Sequence, residues 1–337
     1  MHEARFWKKG KGETVHCNLC RFNCQITHGK RGLCGVRENR DGTLYSLVYG
    51  RSVASNVDPI EKKPLFHLLP GSLSYSVATV GCNFRCLHCQ NYQIAHSPRI
   101  HDSIPGEELS PEDIVRQAVD AGCQSISYTY TEPTIFFEYA CDTAVLAHEA
   151  GLKNVFVTNG YTTNEALEAI APYLDAANVD LKGFTEDFYR KVTGASLQGV
   201  LDTLREYKRL GIWIEVTTLI IPNHNDDNTQ LQGIADFIAQ ELDAATPWHV
   251  TAFYPTYKLS DEKPTPVESL ERARQIGIDA GLHHVYTGNI PGADGESTIC
   301  PKCGKTVVAR HGFRLLEDSL ENGVCVYCRY PLAGVWQ

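Results

Sequence analysis

The sequence lacks any long hydrophobic run and any low-complexity segment. Nowhere in the 337 residues do 18 apolar residues follow one another, and the first 17 residues contain no apolar stretch. A membrane-spanning helix needs about 20 mainly apolar residues, and a secretory signal needs an apolar core of about 7–15. We therefore expect a cytoplasmic protein that is neither secreted nor inserted into a membrane.

Composition indicates a globular protein that uses its cysteines for metal chemistry. The chain is 43% hydrophobic and 21% charged, which is ordinary for a soluble protein with a sizeable core. Its 13 cysteines, without a signal peptide, point to a reducing compartment and to metal or cluster binding instead of disulfides.

Charge is unevenly distributed along the chain. Residues 1–63 carry a balance of +6 and the remainder carries −15, for a net charge of −9. A basic module on an acidic body can steer an anionic partner such as RNA or an acidic protein. A solvated surface around a metal site explains the pattern equally well, so nucleic acid stays an unsupported alternative.

The chain divides into three blocks. We predict an N-terminal Cys-rich module and linker over 1–71, a central domain over 72–290 and a C-terminal Cys-rich module over 291–337. The linker interpretation rests on VDPIEKKPLFHLLPG (57–71), whose three prolines are typical of a boundary loop.

The central block alternates apolar, β-branched runs with amphipathic stretches that close on glycine, as at Gly122 and Gly151. This alternation favours an α/β fold with a parallel sheet of right-handed βαβ units. Six runs fit a partial (β/α)6 barrel, and a seventh at 283–289 either adds a strand or leads out of the barrel. The six are 74–80, 125–130, 155–159, 178–183, 212–221 and 249–254.

Polar and cysteine-containing motifs follow these runs. In parallel (β/α) barrels, catalysis concentrates at the carboxyl ends of the strands, so we predict the active site there. The motifs, in chain order, are Cys82, Thr131-Glu132-Pro133, Thr158-Asn159-Gly160, Asp180 with Lys182, and Pro222-Asn223-His224.

Cys82, Cys86 and Cys89 follow the first run with Cys-x3-Cys-x2-Cys spacing, and Gly81 permits a sharp turn before them. Iron–sulfur clusters are usually held by four cysteine thiolates, so three leave one iron open to a ligand that is not protein. The alternative is a zinc loop that borrows a distant cysteine, but zinc loops favour paired Cys-x2-Cys knuckles. We favour a catalytic cluster.

The loop resembles that of the radical S-adenosylmethionine (SAM) superfamily. There SAM takes the open iron of a [4Fe–4S] cluster, and an electron cleaves it to methionine and a 5′-deoxyadenosyl radical that abstracts a hydrogen atom. The resemblance implies that His88 lies near the SAM adenine, and that Thr131-Glu132-Pro133 matches by position a Gly-Gly-Glu motif that binds the methionyl amino group, with Thr131 in place of the second Gly. His88 as a plain loop residue and Glu132 as a helix-start acid remain alternatives.

VTNGYTT (157–163) and VDLKGFTEDFYRKVTG (179–194) resemble segments that surround the SAM ribose and carboxylate in pyruvate formate-lyase activating enzymes. Val157, Tyr189 and Glu215 stand where those enzymes have Asp, His and Arg, which weakens transfer of a glycyl-radical substrate but not of SAM. By this resemblance, SAM contacts fall to Thr158, Asn159, Gly160, Asp180 and Lys182.

Two further cysteine sets flank the central block. The C-terminal set consists of two Cys-x2-Cys pairs, which predict a closed tetrahedral zinc site in a zinc-ribbon-like module, with a rubredoxin-like iron site as the alternative. The N-terminal set is irregularly spaced and fits one zinc or an auxiliary cluster. Cys123 and Cys141 are expected in the core. The sets are Cys300, Cys303, Cys325 and Cys328, and Cys17, Cys20, Cys24 and Cys34.

Over nearly its full length the chain resembles the radical SAM protein of the AmmeMemoRadiSam system, within the group named for pyruvate formate-lyase activating enzymes. The resemblance implies an enzyme, with a reductant such as flavodoxin or ferredoxin and protein partners from that system. The resembling segments include CNLCRFNC, GKRGLCGVREN, VGCNFRCLHCQN, YTYTEPT, VDLKGF, FYPTYKL and TGNIPGADGESTICPKCG.

We therefore expect reductive SAM cleavage and hydrogen abstraction from a macromolecular or otherwise large substrate. The nearest alternative is activation of a glycyl-radical enzyme. An alternative of another class is a zinc-stabilised adaptor whose basic N-terminus contacts RNA or an acidic protein.

Overall fold

The computed structural model describes residues 1–290 and 295–337 and shows an α/β protein built on one large mixed sheet. The predicted start of the C-terminal module at residue 291 lies outside the described residues. In chain order, the sheet strands are β1 (Ala54–Pro59), β2 (Leu73–Ala78), β3 (Ser125–Tyr128), β4 (Lys153–Thr158), β5 (Ala176–Asp180), β6 (Trp213–Ile220), β7 (Trp248–Ala252) and β8 (Val285–Gly288).

Strands β2 to β8 are parallel and follow one another in chain order across the sheet. The six predicted runs correspond to β2 to β7, and the seventh run adds β8. Strand β1 was not predicted; it pairs antiparallel with β2, with Ala54 opposite Ala78. Because the carboxyl ends of parallel strands meet at one edge, the residues after β2, β3, β4 and β5 are brought close together.

Six helices carry the crossovers between the parallel strands, and several begin at side-chain caps. Ser110 accepts a hydrogen bond from Asp113 N, and Asp227 accepts one from Gln230 N. Gly122 and Gly151 have φ values of +69° and +77° just beyond two helix ends, as predicted. The helices are α1 (Pro111–Asp120), α2 (Phe137–Glu149), α3 (Asn164–Ile170), α4 (Leu197–Arg209), α5 (Asn228–Phe237) and α6 (Val267–Asp279).

Shorter helical segments occur in the connections. Within the described residues, no helix combines the length and the apolar character needed to cross a membrane. The short α-helices are Tyr92–Ala95, Ser97–Ile100 and Glu186–Phe188; 3-10 turns are Ile60–Lys62, Pro133–Phe136 and Ala171–Tyr173; π-helical turns are Tyr189–Thr193 and Ile238–Leu242.

The main core lies on both faces of the sheet. Strand β3 is buried at every position, and Val77, Phe156 and Val250 on other strands are at most 2% exposed. Burial on both faces is the ordinary state of a parallel sheet covered by helices. It explains why the strand-forming sequences are nearly continuous apolar runs.

Residues 60–71, interpreted from sequence as a linker, cover the amino ends of the strands instead. Glu215, near the start of β6, accepts hydrogen bonds from Phe66 N at 3.0 Å and His67 N at 2.8 Å. It also accepts hydrogen bonds from Trp213 Nε1 and, at 2.7 Å, from His249 Nε2. Glu215 therefore fixes this segment at the edge opposite the predicted active site, and its replacement of an activase Arg has no bearing on that site.

The two Cys-rich modules lie at opposite edges of the sheet. Residues after the N-terminal Cys17 dock on the loop that follows β4, where Thr163 N donates to Leu19 O. C-terminal Val335 pairs with Leu68 at the amino edge. The N-terminal strands are His2–Glu3, Trp7–Lys9, Val15–Cys17, Gln25–Ile26, Arg37–Arg40, Thr43–Ser46 and Arg51–Ser52, the last pairing Glu107–Glu108; the C-terminal strands are Thr298–Ile299, Thr306–His311, Arg314–Asp318, Leu320–Glu321 and Val324–Cys325.

Candidate functional site

The loop of Cys82, Cys86 and Cys89 begins directly after β2 and turns sharply at Gly81. Gly81 has a φ of +100°, and a Cβ there would lie 2.6 Å from Val36 Cγ1, so glycine is required. Cys86 is buried, whereas Cys82 and Cys89 are half-buried. The loop is thus pressed against the N-terminal module.

The three thiols are close neighbours but are not arranged around a single ion. Among the described residues, no three of their sulfurs and adjoining ligand atoms lie within 4.8 Å of one another. Burial raises the pKa of all three thiols, and that of Cys86 to about 12 even though nearby Lys182 lowers it. Any bound metal group would draw off these protons; the three-thiol set, with a sulfur spacing unlike that of a single-ion site, is compatible with an iron–sulfur cluster.

Arg99 holds the backbone of this loop. Its Nη2 donates to the carbonyl oxygens of Cys82 and Phe84, the latter at 3.0 Å. These contacts fix the turn between the first two cysteines. Sequence reasoning did not find Arg99, because an isolated arginine in a short helix gives no pattern that distinguishes it from a surface residue.

Glu132 lies in the interior of the site and is 1% exposed. Its Oε1 accepts hydrogen bonds from Thr134 N at 3.0 Å and Thr158 Oγ1 at 2.7 Å, while Oε2 accepts one from Asn159 N at 2.8 Å. Burial raises the pKa of Glu132, and these donors oppose that shift. The carboxylate therefore ties the loop after β3 to the loop after β4.

Asn159 extends from the end of β4 to the cysteine loop. Its Nδ2 donates to Asn83 Oδ1 at 2.7 Å and lies 3.8 Å from Cys82 Sγ. The next residue, Gly160, has a φ of +68°, and a Cβ there would approach Val179 Cγ1 to 2.7 Å. Thr158-Asn159-Gly160 is thereby held against the loop through backbone geometry that only glycine permits.

Asp180 and Lys182 form an ion pair at the end of β5, with Nζ 2.7 Å from Oδ2. Their side chains are 31% and 15% exposed. Burial alone would lower the pKa of Lys182, but the Asp180 carboxylate and the Cys86 sulfur raise it, so the ammonium stays charged beside the cysteine loop. Tyr189 is fully buried, and its hydroxyl accepts a hydrogen bond from Lys182 N at 3.0 Å.

His88 is buried within the loop, and its Nδ1 has no hydrogen-bond partner in the described part of the chain. Burial, followed by the positive charges of Lys182 and His224, lowers the pKa of His88 to about 3. The ring is therefore neutral at physiological pH. A buried polar atom without a partner is unusual in a folded protein, so Nδ1 is a candidate contact for a bound ligand.

Thr131 and Asn91 connect the carboxyl end of β3 with the loop that contains Cys82, Cys86 and Cys89. Thr131 Oγ1 donates to Thr79 O at 2.8 Å, and Asn91 Nδ2 donates to Tyr130 O at 2.7 Å. Sequence reasoning missed Asn91, although it lies in the cysteine segment VGCNFRCLHCQN; Asn83 in the same segment was expected to hydrogen-bond locally, and it accepts from Asn159. The eight residues predicted to contact SAM thus lie at the carboxyl ends of β3 to β5 or in the loops that follow β2 to β5.

The C-terminal cysteines form a compact group far from this site. Their four ligand atoms lie within 4.8 Å of one another, with Cys300 Sγ 3.6 Å from Cys328 Sγ and Cys303 Sγ 3.9 Å from Cys325 Sγ. Gly304 has a φ of +70°, which provides the predicted tight turn. This arrangement can bind one metal ion and is joined to the amino edge of the sheet.

Comparison with known proteins agrees with this geometry. Residues 76–233 match the profile of the Radical SAM superfamily. An uncharacterized protein of Methanocaldococcus jannaschii is 47% identical over 330 residues, which cover 97% of this chain and 98% of that protein. The pyruvate formate-lyase-activating enzyme of Clostridium pasteurianum is 23% identical over 213 residues, or 60% of this chain and 87% of that enzyme.

A solved structure shares the fold. The radical SAM methyltransferase from Sphaerobacter thermophilus superposes with a TM-score of 0.51 at 16% identity, over 68% of this chain and 71% of that one. At that identity the likeness concerns the fold alone.

Proposed function

We propose that this chain, a member of the Radical SAM superfamily, cleaves SAM reductively with the [4Fe–4S] cluster that the family implies. In this proposal Cys82, Cys86 and Cys89 hold three irons of the cluster. The observation that carries it is the convergence of these thiols with Glu132, Asp180 and Lys182 at one edge of the sheet.

The bound cluster would supply the electron that breaks SAM, with hydrogen abstraction from a substrate as the outcome. The protein's own residues would orient SAM and exclude water. Lys182, held charged by Asp180, provides a cation beside Cys86, which suits a carboxylate ligand. His88 presents an aromatic face and a free Nδ1, which suits an adenine.

The role of Glu132 is narrower than the resemblance implies. Both carboxylate oxygens already accept hydrogen bonds from Thr134, Thr158 and Asn159. Glu132 can still attract an ammonium group by its charge. We assign it to positioning the Thr158-Asn159 backbone as much as to contacting SAM.

We expect a variant with Cys82→Ala, Cys86→Ala and Cys89→Ala to lose reductive SAM cleavage by at least about a thousandfold, because no cluster ligand remains. The measurement is 5′-deoxyadenosine formation by anaerobically reconstituted protein with a strong reductant. Cys123→Ala, at a buried cysteine outside the site, is the matched control and should keep full activity. Cleavage by the triple variant at the control's rate would disprove the assignment.

Finer features of the proposal rest on the resemblance. They are membership of the AmmeMemoRadiSam system, a flavodoxin or ferredoxin reductant, and a macromolecular substrate. We also propose zinc as the C-terminal metal, since four thiolates in closed tetrahedral geometry are its preferred structural set. Glycyl-radical activation stays the alternative reaction. Tyr189, which replaces an activase His at the site, still speaks against that alternative. Glu215 does not, because it lies at the opposite edge of the sheet.

A further inference from the structure

The four N-terminal cysteines surround one small cavity that the proposed reaction does not use. Its walls are apolar side chains such as Leu19, Ile26 and Ile135, together with Arg37 and Asn83. Cys17, Cys20 and Cys34 are buried and Cys24 is half-buried. All four cysteines therefore line one shared cavity.

The spacing of these thiols differs from that of a mononuclear site. With Zn–S bonds of about 2.3 Å, any two sulfurs on one zinc lie at most about 4.6 Å apart. The C-terminal sulfurs meet that condition, but among the described residues no three N-terminal sulfurs lie within 4.8 Å of one another. In this respect the N-terminal set matches Cys82, Cys86 and Cys89, not the C-terminal four.

Two buried donors at the cavity lack partners. Arg37 is 1% exposed and Asn83 is 2% exposed, and neither Arg37 Nε nor Asn83 Nδ2 has an acceptor in the described part of the chain. Arg37 is held in place because its Nη1 donates to Glu138 Oε1 at 3.0 Å. Buried N–H groups are almost always satisfied, and hydrogen bonds to cluster sulfurs are a recognised feature of iron–sulfur sites.

The cavity adjoins the cysteine loop of the candidate active site. Asn83 lines the cavity and follows Cys82, and its Oδ1 accepts the hydrogen bond from Asn159. A Cβ on Gly81 would lie 3.0 Å from Cys34 O. A group bound by the N-terminal thiols would thus be the immediate neighbour of one bound by Cys82, Cys86 and Cys89.

From these observations we propose that Cys17, Cys20, Cys24 and Cys34 hold a second iron–sulfur cluster instead of a zinc ion. Four cysteine thiolates are the usual ligands of both [2Fe–2S] and [4Fe–4S] clusters. The assignment stands on its own ligands, so it does not require the proposed reaction to be correct.

The decisive protein is the full chain with Cys82→Ala, Cys86→Ala and Cys89→Ala, reconstituted anaerobically with iron and sulfide. We expect it to retain two or four irons with equal acid-labile sulfide, and about half or more of the wild-type visible absorbance. Sulfide is the discriminating count, because a C-terminal mononuclear iron site would bring none. Cys123→Ala with Cys141→Ala in the same background is the control and should change neither count.

A second variant tests the ligands directly. Adding Cys20→Ala and Cys34→Ala to the triple variant should abolish the remaining sulfide, with folding checked by circular dichroism. The proposal would be overturned if the triple variant contained no acid-labile sulfide, whether or not one zinc were bound at the N-terminal thiols. Failure of the proposed SAM chemistry alone would appear differently, as a sulfide-containing wild-type protein that forms no 5′-deoxyadenosine.

Discussion

At the scale of single residues, His88 is the side chain whose role the structure sharpens most. Its ring is buried and neutral, and its Nδ1 has no partner in the part of the chain that is described. Two roles remain: stacking through the ring face, or a hydrogen bond through Nδ1. They are separable, because phenylalanine keeps the aromatic face and removes the polar atom.

We expect His88→Phe to raise the dissociation constant for SAM about five- to tenfold, the equivalent of one hydrogen bond of about 1–1.5 kcal/mol. The melting temperature should not fall, since a buried polar atom without a partner is removed. Isothermal titration of the reconstituted protein measures the first effect and calorimetry the second. His148→Phe, at an exposed position on α2, is the control. If His88→Phe binds SAM as tightly as His148→Phe does, the hydrogen-bonding role of His88 is excluded and only stacking remains.

At the scale of secondary-structure elements, the segment 60–71 depends on one carboxylate. Glu215 receives hydrogen bonds from two backbone N–H groups of this segment and from His249. Burial alone would raise the pKa of Glu215, but His249, His67 and the backbone N–H of Phe66 hold it below its ordinary value. The anion therefore stabilises the folded state.

We expect Glu215→Gln to lower the free energy of unfolding at pH 7 by about 3 kcal/mol, because an amide cannot accept all four bonds. The pKa of Glu215 is lower folded than unfolded, so its contribution is complete above about pH 4.3 and is lost as the pH falls further. Urea unfolding should show the difference from wild type shrinking below pH 4. Glu168→Gln, whose side chain is 56% exposed, should change stability by less than about 0.5 kcal/mol, and an equal loss there would refute the argument.

At the scale of the whole molecule, the two cysteine modules serve different edges of the sheet. The C-terminal module contacts the amino edge, where Arg310 Nη2 donates to Phe66 O at 2.7 Å and Val335 N donates to His67 O at 2.7 Å. Its own core contains only a few buried residues, including Cys300 and Val307. So small a core contributes little folding free energy, so we expect a bound metal to stabilise this module.

We expect Cys303→Ser to weaken metal binding and expose residues 298–337 to protease, because one of four thiolates is removed. SAM cleavage should persist at half or more of the wild-type rate, since the module joins the edge opposite the cysteine loop. Limited proteolysis with mass spectrometry, metal analysis and 5′-deoxyadenosine formation are the measurements. Lys302→Ser, at the exposed neighbouring residue, is the control, and loss of cleavage in Cys303→Ser alone would contradict a purely structural role.

The sequence by itself determined the parallel strands β2 to β7 of the central sheet and their order. Continuous apolar runs, which are typical of buried parallel strands, predicted β2 to β7. The motifs that follow four of these runs predicted which residues would lie close together at the carboxyl edge of the sheet. Those are local signals, because strand burial, glycine turns and cysteine spacing depend on neighbours in the chain. Curvature of the sheet into a partial barrel and the division into domains stay predictions.

Only the tertiary structure decided contacts between distant segments. It showed that residues 57–71, interpreted from sequence as a linker, form the end of strand β1 and a cover for the amino edge, and that Glu215 binds the backbone of that cover. Spacing left zinc and a cluster both open for the N-terminal thiols, and the structure adds their geometry, since sulfur–sulfur distances depend on how Cys17 to Cys34 fold against the loop of Cys82. Such contacts join residues far apart in the chain, and no periodicity within a segment encodes them.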